Sequence, residues 1–176
     1  MCDHCTRREF FGMGAAGAVM AGALWTHNWA TGAPPDTPRG KSRICVMFTG
    51  DPQPPDRNWG ADAGQVEAVK ARLLEAEKKL GNVELLMGDV RTAEEATALM
   101  EQAGPDAPVL TVNVQCFTLK GIAEPILASG RPMLVFALPA SGHDWMYPHR
   151  WQRAGHRVTL LPSSDLNDLE RALRVL

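Results

Sequence analysis

Five short apolar segments, each followed by a stretch with helical periodicity, constrain the fold of this chain more than any other feature. Residues 44–48 read Ile-Cys-Val-Met-Phe and residues 133–136 read Met-Leu-Val-Phe, with no polar residue in either segment. Segments that are apolar throughout, rather than at alternate positions, are typical of strands buried on both faces of a parallel sheet. The strand that contains 133–136 is predicted at 131–138, and the other strands are predicted at 83–87, 108–114 and 157–161.

The stretches between these strands have the spacing and the end signals of helices. Val66, Val69 and Leu73 recur at helical intervals, and Thr92 with Glu95 three positions later matches a capping box. Helices are predicted at 62–80, 92–104, 119–128, 147–154 and from Ser164 or Asp165 to 176. This alternation predicts a three-layer, flavodoxin-like or Rossmann-like α/β domain. We expect a five-stranded parallel sheet in the order 2-1-3-4-5 with right-handed crossovers.

The N-terminal segment has the pattern of an export signal. Residues 6–10 read Thr-Arg-Arg-Glu-Phe, and an apolar stretch rich in glycine and alanine follows at 11–24. The segment resembles a twin-arginine (Tat) signal, in which a receptor reads the paired guanidinium groups of Arg7 and Arg8. The apolar stretch is shorter than the roughly 20 residues of a membrane span. The resemblance implies export by the Tat translocase to the periplasm or another extracytoplasmic compartment, with removal of residues 1–30. An uncleaved anchor or an N-terminal amphipathic helix is the alternative.

The rest of the chain divides into a linker and one domain. Residues 31–42 contain three prolines, two glycines and no large apolar side chain, which predicts a linker. The remaining residues, 43–176, suffice for a single domain with its own core. The formal net charge is −2, and we find no basic run with interleaved aromatic residues. We therefore expect no nucleic-acid partner and no membrane span after cleavage.

Four cysteines are present, two of them within the predicted signal. Cys2 and Cys5 have the spacing of a metal-binding pair but no second pair to complete a site. Cys45 and Cys116 lie in or at the end of predicted strands, which predicts buried thiols. In an oxidising compartment these two could form a disulfide, provided that their Cα atoms lie about 5.5 Å apart.

Candidate site residues follow from the predicted fold. Open parallel sheets bind ligands beyond the carboxyl ends of their strands, and the loops there are polar and mixed in type, with tryptophans that could stack on a sugar ring. The candidate ligand-binding residues are Thr49, Asp51, Trp59, Asp89, Asn113, Gln115, Ser141, His143, Asp144, Trp145 and Ser163. Helix caps and turns use the same residue types, so a structural role is the alternative for each of them.

Several catalytic motifs are missing from these loops. The loop around His143 and Asp144 is the richest in polar groups, but side chains adjacent in sequence do not face each other, so a His–Asp dyad is not predicted. No Gly-x-Ser-x-Gly elbow surrounds Ser141, and neither a dinucleotide-binding glycine motif nor a Walker loop follows the first strand. No acids and histidines have the spacing of metal ligands. We therefore predict no catalytic residue, no metal ligand and no cofactor within this chain.

Segments along the whole mature chain share the layout of a known family. These are the strand at 109–113, the Gly-Arg-Pro turn at 130–132, the strand at 133–138, the loop at 139–145 and the turn at 161–165. In this layout the chain resembles the N-terminal domain of the L-fucose/L-arabinose isomerase-like sugar isomerases. Members of that family convert aldoses to ketoses with a divalent metal, usually manganese, whose ligands lie in later domains. The resemblance implies a flavodoxin-like domain that helps to shape a sugar site. Mn²⁺ is implied only if further isomerase domains follow.

These observations together predict an exported, sugar-isomerase-like domain. We expect it to bind a carbohydrate or another small polar ligand, or to act as an accessory module, without aldose–ketose isomerase activity of its own. Two alternatives remain open. The chain could be a small exported enzyme that uses His143 and Asp144, or a sensor domain similar to periplasmic binding proteins.

Overall fold

The computed structural model describes residues 40–57, 59–139 and 144–176. The predicted signal with Arg7 and Arg8, and most of the predicted linker, lie outside the described residues. Ser141 and His143 also lie outside them. The described residues all belong to one compact unit, Pro38–Leu176.

Five strands and five helices alternate along the described residues. The strands are β1 (Ser42–Thr49), β2 (Val83–Val90), β3 (Val109–Asn113), β4 (Met133–Ala137) and β5 (Val158–Pro162). The helices are α1 (Ala63–Leu80), α2 (Ala93–Ala103), α3 (Leu119–Ala128), α4 (Met146–Arg153) and α5 (Asp168–Val175). All paired strands are parallel, in the order β2-β1-β3-β4-β5. The predicted α/β fold class and strand order are therefore confirmed, and the order reverses direction between β1 and β3.

The sheet has a hydrophobic core on each of its faces, because successive side chains of a strand point to opposite sides. Ile44, Val46 and Phe48 of β1 lie in the core that also contains residues of α1 and α5. Cys45 and Met47 lie in the other core, with residues of α2 and α3. Each fully buried aliphatic or aromatic side chain of this kind contributes about 1.5–3 kcal/mol. These two cores hold the strand ends, and hence the loops that follow them, at one edge of the sheet.

The two edge strands differ from the prediction that every strand is buried on both faces. Most residues of β2 and β5 are half-buried or exposed, because each edge strand has a neighbour on one side only. The second strand also continues to Val90, three residues beyond its predicted end at Met87, since its pairing with β1 extends to Thr49. Gly88 and Asp89 therefore lie within β2 and not in a loop. A β-carbon at Gly88 would come within 2.9 Å of the Leu99 side chain, so α2 packs directly on this position.

Local end signals set most of the helix boundaries. The predicted capping box at Thr92 and Glu95 is confirmed, and Asp62 with Gln65 forms another at the start of α1. Gly81 ends α1 in the left-handed conformation, with φ of 71°, as glycine at this position permits. None of the described helices is long and apolar enough to cross a membrane.

The predicted start of the last helix was wrong. We expected Ser164 or Asp165 to cap it, but α5 begins at Asp168 and no side chain caps its start. Asp165 Oδ1 instead accepts the backbone N–H of Asn167 at 2.9 Å. That bond forms a turn that leads into α5. Capping residue types favour tight turns as well as helix starts, and here the turn is the outcome.

Candidate functional site at the carboxyl edge of the sheet

Three of the predicted site residues form a buried chain of hydrogen bonds where the strand order reverses. Thr49 and Asn113 end adjacent strands in register, and Asp144 lies in the segment that follows β4. Thr49 Oγ1 donates to Asn113 Oδ1, and Asn113 Nδ2 donates to Asp144 Oδ2, each at 3.0 Å. None of the three residues is more than 1% exposed. The chain therefore fastens the segment after β4 to the ends of β1 and β3.

The second oxygen of Asp144 holds the turn between β3 and α3. Asp144 Oδ1 accepts the backbone N–H of Phe117 at 3.0 Å. A buried carboxylate is expensive unless hydrogen-bond donors compensate it, and here each oxygen accepts one N–H group. The carboxylate thus links three neighbouring segments: the end of β3, the turn at Phe117 and the start of α4.

Phe117 combines an unfavourable backbone conformation with an exposed aromatic ring. Its φ is 68°, the one positive value at a described residue other than glycine. A bulky residue in this region carries roughly 1–2 kcal/mol of strain. The side chain is 59% exposed, and its ring centroid lies 6.0 Å from that of Trp59, which is 52% exposed. We call this pair of exposed rings the aromatic platform.

The main chain holds the two loops of the aromatic platform together. Cys116 N–H donates to the carbonyl of Trp59 at 2.9 Å, and Gly60 and Gln115 form an antiparallel bridge. Only glycine fits at position 60, because a β-carbon there would lie 2.5 Å from the carbonyl oxygen of Val114. The Trp59 loop can therefore lie directly against the segment after β3, and this places the two rings side by side.

Polar and charged groups line the rim next to the aromatic platform. Asp51 and Arg91 form an exposed ion pair. The hydrogen bond and the charge of the Asp51 carboxylate raise the pKa of Arg91 above its usual range. Gln115 Oε1 accepts the backbone N–H of Asp51 at 3.1 Å, and Gln53 Nε2 donates to the Asp51 carbonyl at 2.9 Å. The rim thus presents a carboxylate and a guanidinium group on a hydrogen-bonded loop.

A cleft of about 390 Å³ opens at the same edge of the sheet. It lies where the loop after β1 meets the start of α1 and the end of β4. Its lining combines three prolines with polar groups: Pro54, Pro55, Arg57, Gly60, Asp62, Gln65 and Pro139. Through Gly60 the cleft adjoins the Trp59 loop of the aromatic platform.

Two of the predicted site residues, Asp89 and Ser163, are engaged by neighbouring helices. Asp89 forms an ion pair with Lys70 of α1 at 3.4 Å, and the Lys70 ammonium lies 5.2 Å from the centroid of the Phe48 ring. Ser163 donates to Asp168 Oδ2 at 2.7 Å at the start of α5. These contacts give both residues structural partners on other elements. Trp145, by contrast, follows Asp144 directly and is 42% exposed.

Sequence reasoning missed Phe117 and Arg57. Phenylalanine has no preference for a left-handed backbone, so nothing in its local sequence indicates the strained, exposed conformation that it adopts. Arg57 lies in a proline-rich loop without a recognisable motif, and only its position beside the cleft singles it out. The hydrogen bond between Asp51 and Gln115 is equally invisible in sequence, because it joins residues 64 positions apart.

The two cysteines of the domain are free and buried. The prediction of buried thiols is confirmed, and the disulfide that could have joined them is absent. Cys45 pairs in register with Val109, at the start of β3, whereas Cys116 follows the opposite end of that strand. The intervening strand spans roughly 13 Å at about 3.3 Å per residue, too far for a disulfide. Within the described ranges, no group of three or more His, Cys, Asp or Glu could hold a metal ion.

Comparisons with known proteins identify no family for this chain. No protein-family model matches the sequence, and no curated protein matches it. The chain is similar to the solution NMR structure of a de novo designed Rossmann 2x3 fold protein, with 10% sequence identity and a TM-score of 0.46. That similarity covers 74% of this chain and 86% of the designed protein.

Proposed function

We propose that this chain is an exported domain that binds a carbohydrate, or a similar ring-shaped and hydroxyl-rich molecule, at the carboxyl edge of its sheet. The observation that supports this most is the aromatic platform. Trp59 and Phe117 expose adjacent rings, and Phe117 does so from a strained backbone. A strained backbone costs stability, and such outliers concentrate at ligand sites.

The groups around the aromatic platform suit a sugar. Aromatic rings can pack against the C–H face of a pyranose or furanose. Sugar hydroxyls both donate and accept, and the neighbouring rim offers the Asp51 carboxylate and the Arg91 guanidinium. Hydrogen bonds to such charged groups are stronger than those between neutral groups. The rim and the platform together thus match the two kinds of surface that a sugar presents.

The roles of Thr49, Asn113 and Asp144 in this proposal are to support the loops that carry the site. Each is buried and bonded to another of the three. Both oxygens of Asp144 already accept N–H groups, which favours a supporting role over general acid–base catalysis. This arrangement supports the proposal of a binding or accessory module. Mn²⁺-dependent isomerisation would require further domains.

Sugar binding is tested by titrating the full chain with L-fucose, L-arabinose and D-glucose, with glycerol as a non-ring control. A sugar that binds the folded state raises the melting temperature in proportion to its concentration over Kd, and isothermal titration calorimetry gives the affinity. We expect Trp59→Ala and Phe117→Ala each to weaken binding about two- to tenfold, since an aromatic stacking contact contributes roughly 0.5–1.5 kcal/mol.

Leu74→Ala is the matched control for this titration. Leu74 is another large apolar side chain that is half exposed, but it lies on α1 away from the aromatic platform. Its substitution should leave the affinity unchanged. The proposal fails if none of the three sugars binds, or if Trp59→Ala binds as tightly as the unaltered chain.

Export is tested separately. The proposal predicts that the protein recovered from the extracytoplasmic fraction has an intact mass near 16 kDa, about 145 residues after signal removal. Replacing both Arg7 and Arg8 by lysine should keep the protein in the cytoplasm at its full mass, because the receptor reads guanidinium groups. Arg39→Lys, outside the motif, is the control and should leave export unchanged. Export of the double variant at the normal level would refute this part of the proposal.

A further inference from the structure

The solvent side of α4 carries basic and large apolar side chains together. At 100° per residue, one arc of the helix and its preceding residue contains five exposed side chains. We call this arc the outer face of α4; it comprises Trp145, Met146, His149, Arg150 and Arg153. Trp145 and Met146 lie at the end of the helix nearest the carboxyl edge of the sheet, and the arginines follow along the helix.

The inner side of α4 is already used by the fold. Pro148 is buried, and Trp151 packs against the core beneath α2 and α3 with its ring 5.9 Å from that of Tyr147. Gln152 Nε2 donates to the carbonyl of Val158 in β5 at 2.8 Å. The helix is therefore anchored to β5, and the outer face is the side of α4 that remains for a partner.

Positive charge is concentrated and unpaired around the outer face. Arg150, Arg153 and Arg157 are all exposed, and no Asp or Glu occurs between residues 145 and 164. Across the described ranges, no ion pair or hydrogen bond engages these three guanidinium groups, whereas Arg72 and Arg91 each pair with a carboxylate. The whole chain has a net charge of −2, so this region is electropositive against an acidic background.

The side-chain chemistry of the outer face favours one kind of partner. Neither the 390 Å³ cleft nor a second cavity, of about 840 Å³ at the amino edge of the sheet, is lined by residues of α4. An array of flexible arginines beside an exposed tryptophan fits a fluid surface, where phosphates can move to meet the guanidinium groups. Tryptophan is also favoured at the headgroup level of membranes.

We infer that the outer face of α4, with Arg157, binds membrane surfaces that contain anionic phospholipids. The arginines contact lipid phosphates, and Trp145 and Met146 enter the headgroup region. Because the inner side of α4 packs on β5, the domain adsorbs to the surface and the helix does not insert. This inference does not depend on the proposed sugar site, since Trp59 and Phe117 take no part in it.

Lipid titrations of the full chain test the inference. The probes are vesicles of phosphatidylcholine alone and vesicles of phosphatidylcholine with phosphatidylglycerol at about 30 mol%. Sedimentation separates the bound protein from the free protein, at low salt, where surface charges are least screened. Each basic residue near an anionic surface contributes about fivefold in partitioning. Arg150→Gln with Arg153→Gln should therefore lower the partition coefficient on the anionic vesicles about 25-fold. The N-terminal segment is identical in all variants, so the ratio of their partition coefficients reports on α4.

The matched control is Lys78→Gln with Lys120→Gln. These lysines are also exposed and lie on α1 and α3. Their substitution removes the same amount of charge as the double arginine substitution. We expect less than a twofold change for this pair. Equal loss in both double variants would show a general charge effect and overturn the inference, as would equal binding to vesicles without phosphatidylglycerol.

Poly-L-glutamate and a single-stranded oligonucleotide are titrated in parallel. If the α4 variant loses binding only to one of these, the partner is an acidic polypeptide or a nucleic acid and the lipid assignment is wrong.

Discussion

Asn113 and Asp144, which are 31 positions apart in the chain, are joined by a buried hydrogen bond of 3.0 Å. The bond connects the end of a central strand to the segment that starts α4. Because Asp144 also accepts the N–H of Phe117, the same carboxylate supports the aromatic platform. The position of an exposed site thus depends on a side chain that is itself hidden from solvent.

Asp144→Ala should lower the free energy of unfolding by about 2–4 kcal/mol, because it leaves the Asn113 amide and the Phe117 N–H without their carboxylate acceptor in a buried site. Urea denaturation measures the loss. Asp165→Ala, at an exposed turn, serves as the control and should cost less. A double-mutant cycle with Asn113→Ala should give a coupling energy of about 1 kcal/mol or more. Additive losses would mean that the two residues act independently.

Phe117→Asn should give a more stable protein than Phe117→Val, by about 1 kcal/mol. Both substitutions remove the ring, but asparagine tolerates a φ near 68°, whereas a β-branched residue is strained there. Thermal unfolding of the two variants measures the difference. Equal stabilities would show that the backbone relaxes at position 117 and that Phe117 carries no strain.

The ion pairs of Glu170 contribute to the stability of the domain, and this contribution is lost in acid. Lys79 and Arg174 bond to its carboxylate at 2.7 and 2.8 Å and lower its pKa from the ordinary 4.5 to about 2. A lowered pKa means that these contacts stabilise the fold fully above pH 4.5 and are lost as the pH falls towards 2. The melting temperature of Glu170→Gln should therefore decrease less than that of the unaltered chain between about pH 5 and about pH 2.5.

The control for this titration is Glu124→Gln, at an exposed position on α3. Its melting temperature should depend on acid pH as that of the unaltered chain does. If Glu170→Gln also follows the unaltered chain throughout the acid range, the ion pairs with Lys79 and Arg174 do not contribute to stability in solution.

Cys45 should resist alkylation in the folded protein. Burial raises the pKa of its thiol to about 11, and the thiolate is the reactive form. Iodoacetamide at pH 8 should leave the Cys45 peptide unmodified under native conditions and modify it in urea, as read by peptide mass spectrometry. Denatured, unreduced protein should show alkylation at both Cys45 and Cys116, since both thiols are free. A crosslinked peptide containing both residues would contradict the structure.

Much of the fold could be predicted because its signals are local. Apolar runs, the Thr92–Glu95 capping box and the glycine at position 81 each act through neighbouring residues, and the structure contains all of them. The exceptions also have a local cause. Asp165 has the chemistry of both a turn and a helix cap, so its sequence alone did not decide where α5 begins.

The candidate site was less predictable, since adjacency in space is not a local property. The carboxyl-edge rule identified Thr49, Asn113 and Asp144, which the structure does bring together. The rule could not separate them from Asp89, because the actual end of β2 depends on its pairing with β1. The carboxyl-edge rule also could not predict which residues are exposed. Asp144 is buried and Trp59 is half exposed, although both are polar or amphipathic residues in loops.

The sequence by itself determined the alternation of strands and helices and the edge of the sheet at which a site would lie, because hydrophobic periodicity and chain connectivity encode both. The tertiary structure alone decided that Phe117 adopts a left-handed backbone beside Trp59, and that the side of α4 with Arg150 and Arg153 faces solvent. Those arrangements follow from main-chain bonds and packing between segments far apart in the chain. Such contacts form only when the whole domain folds, so no local pattern records them.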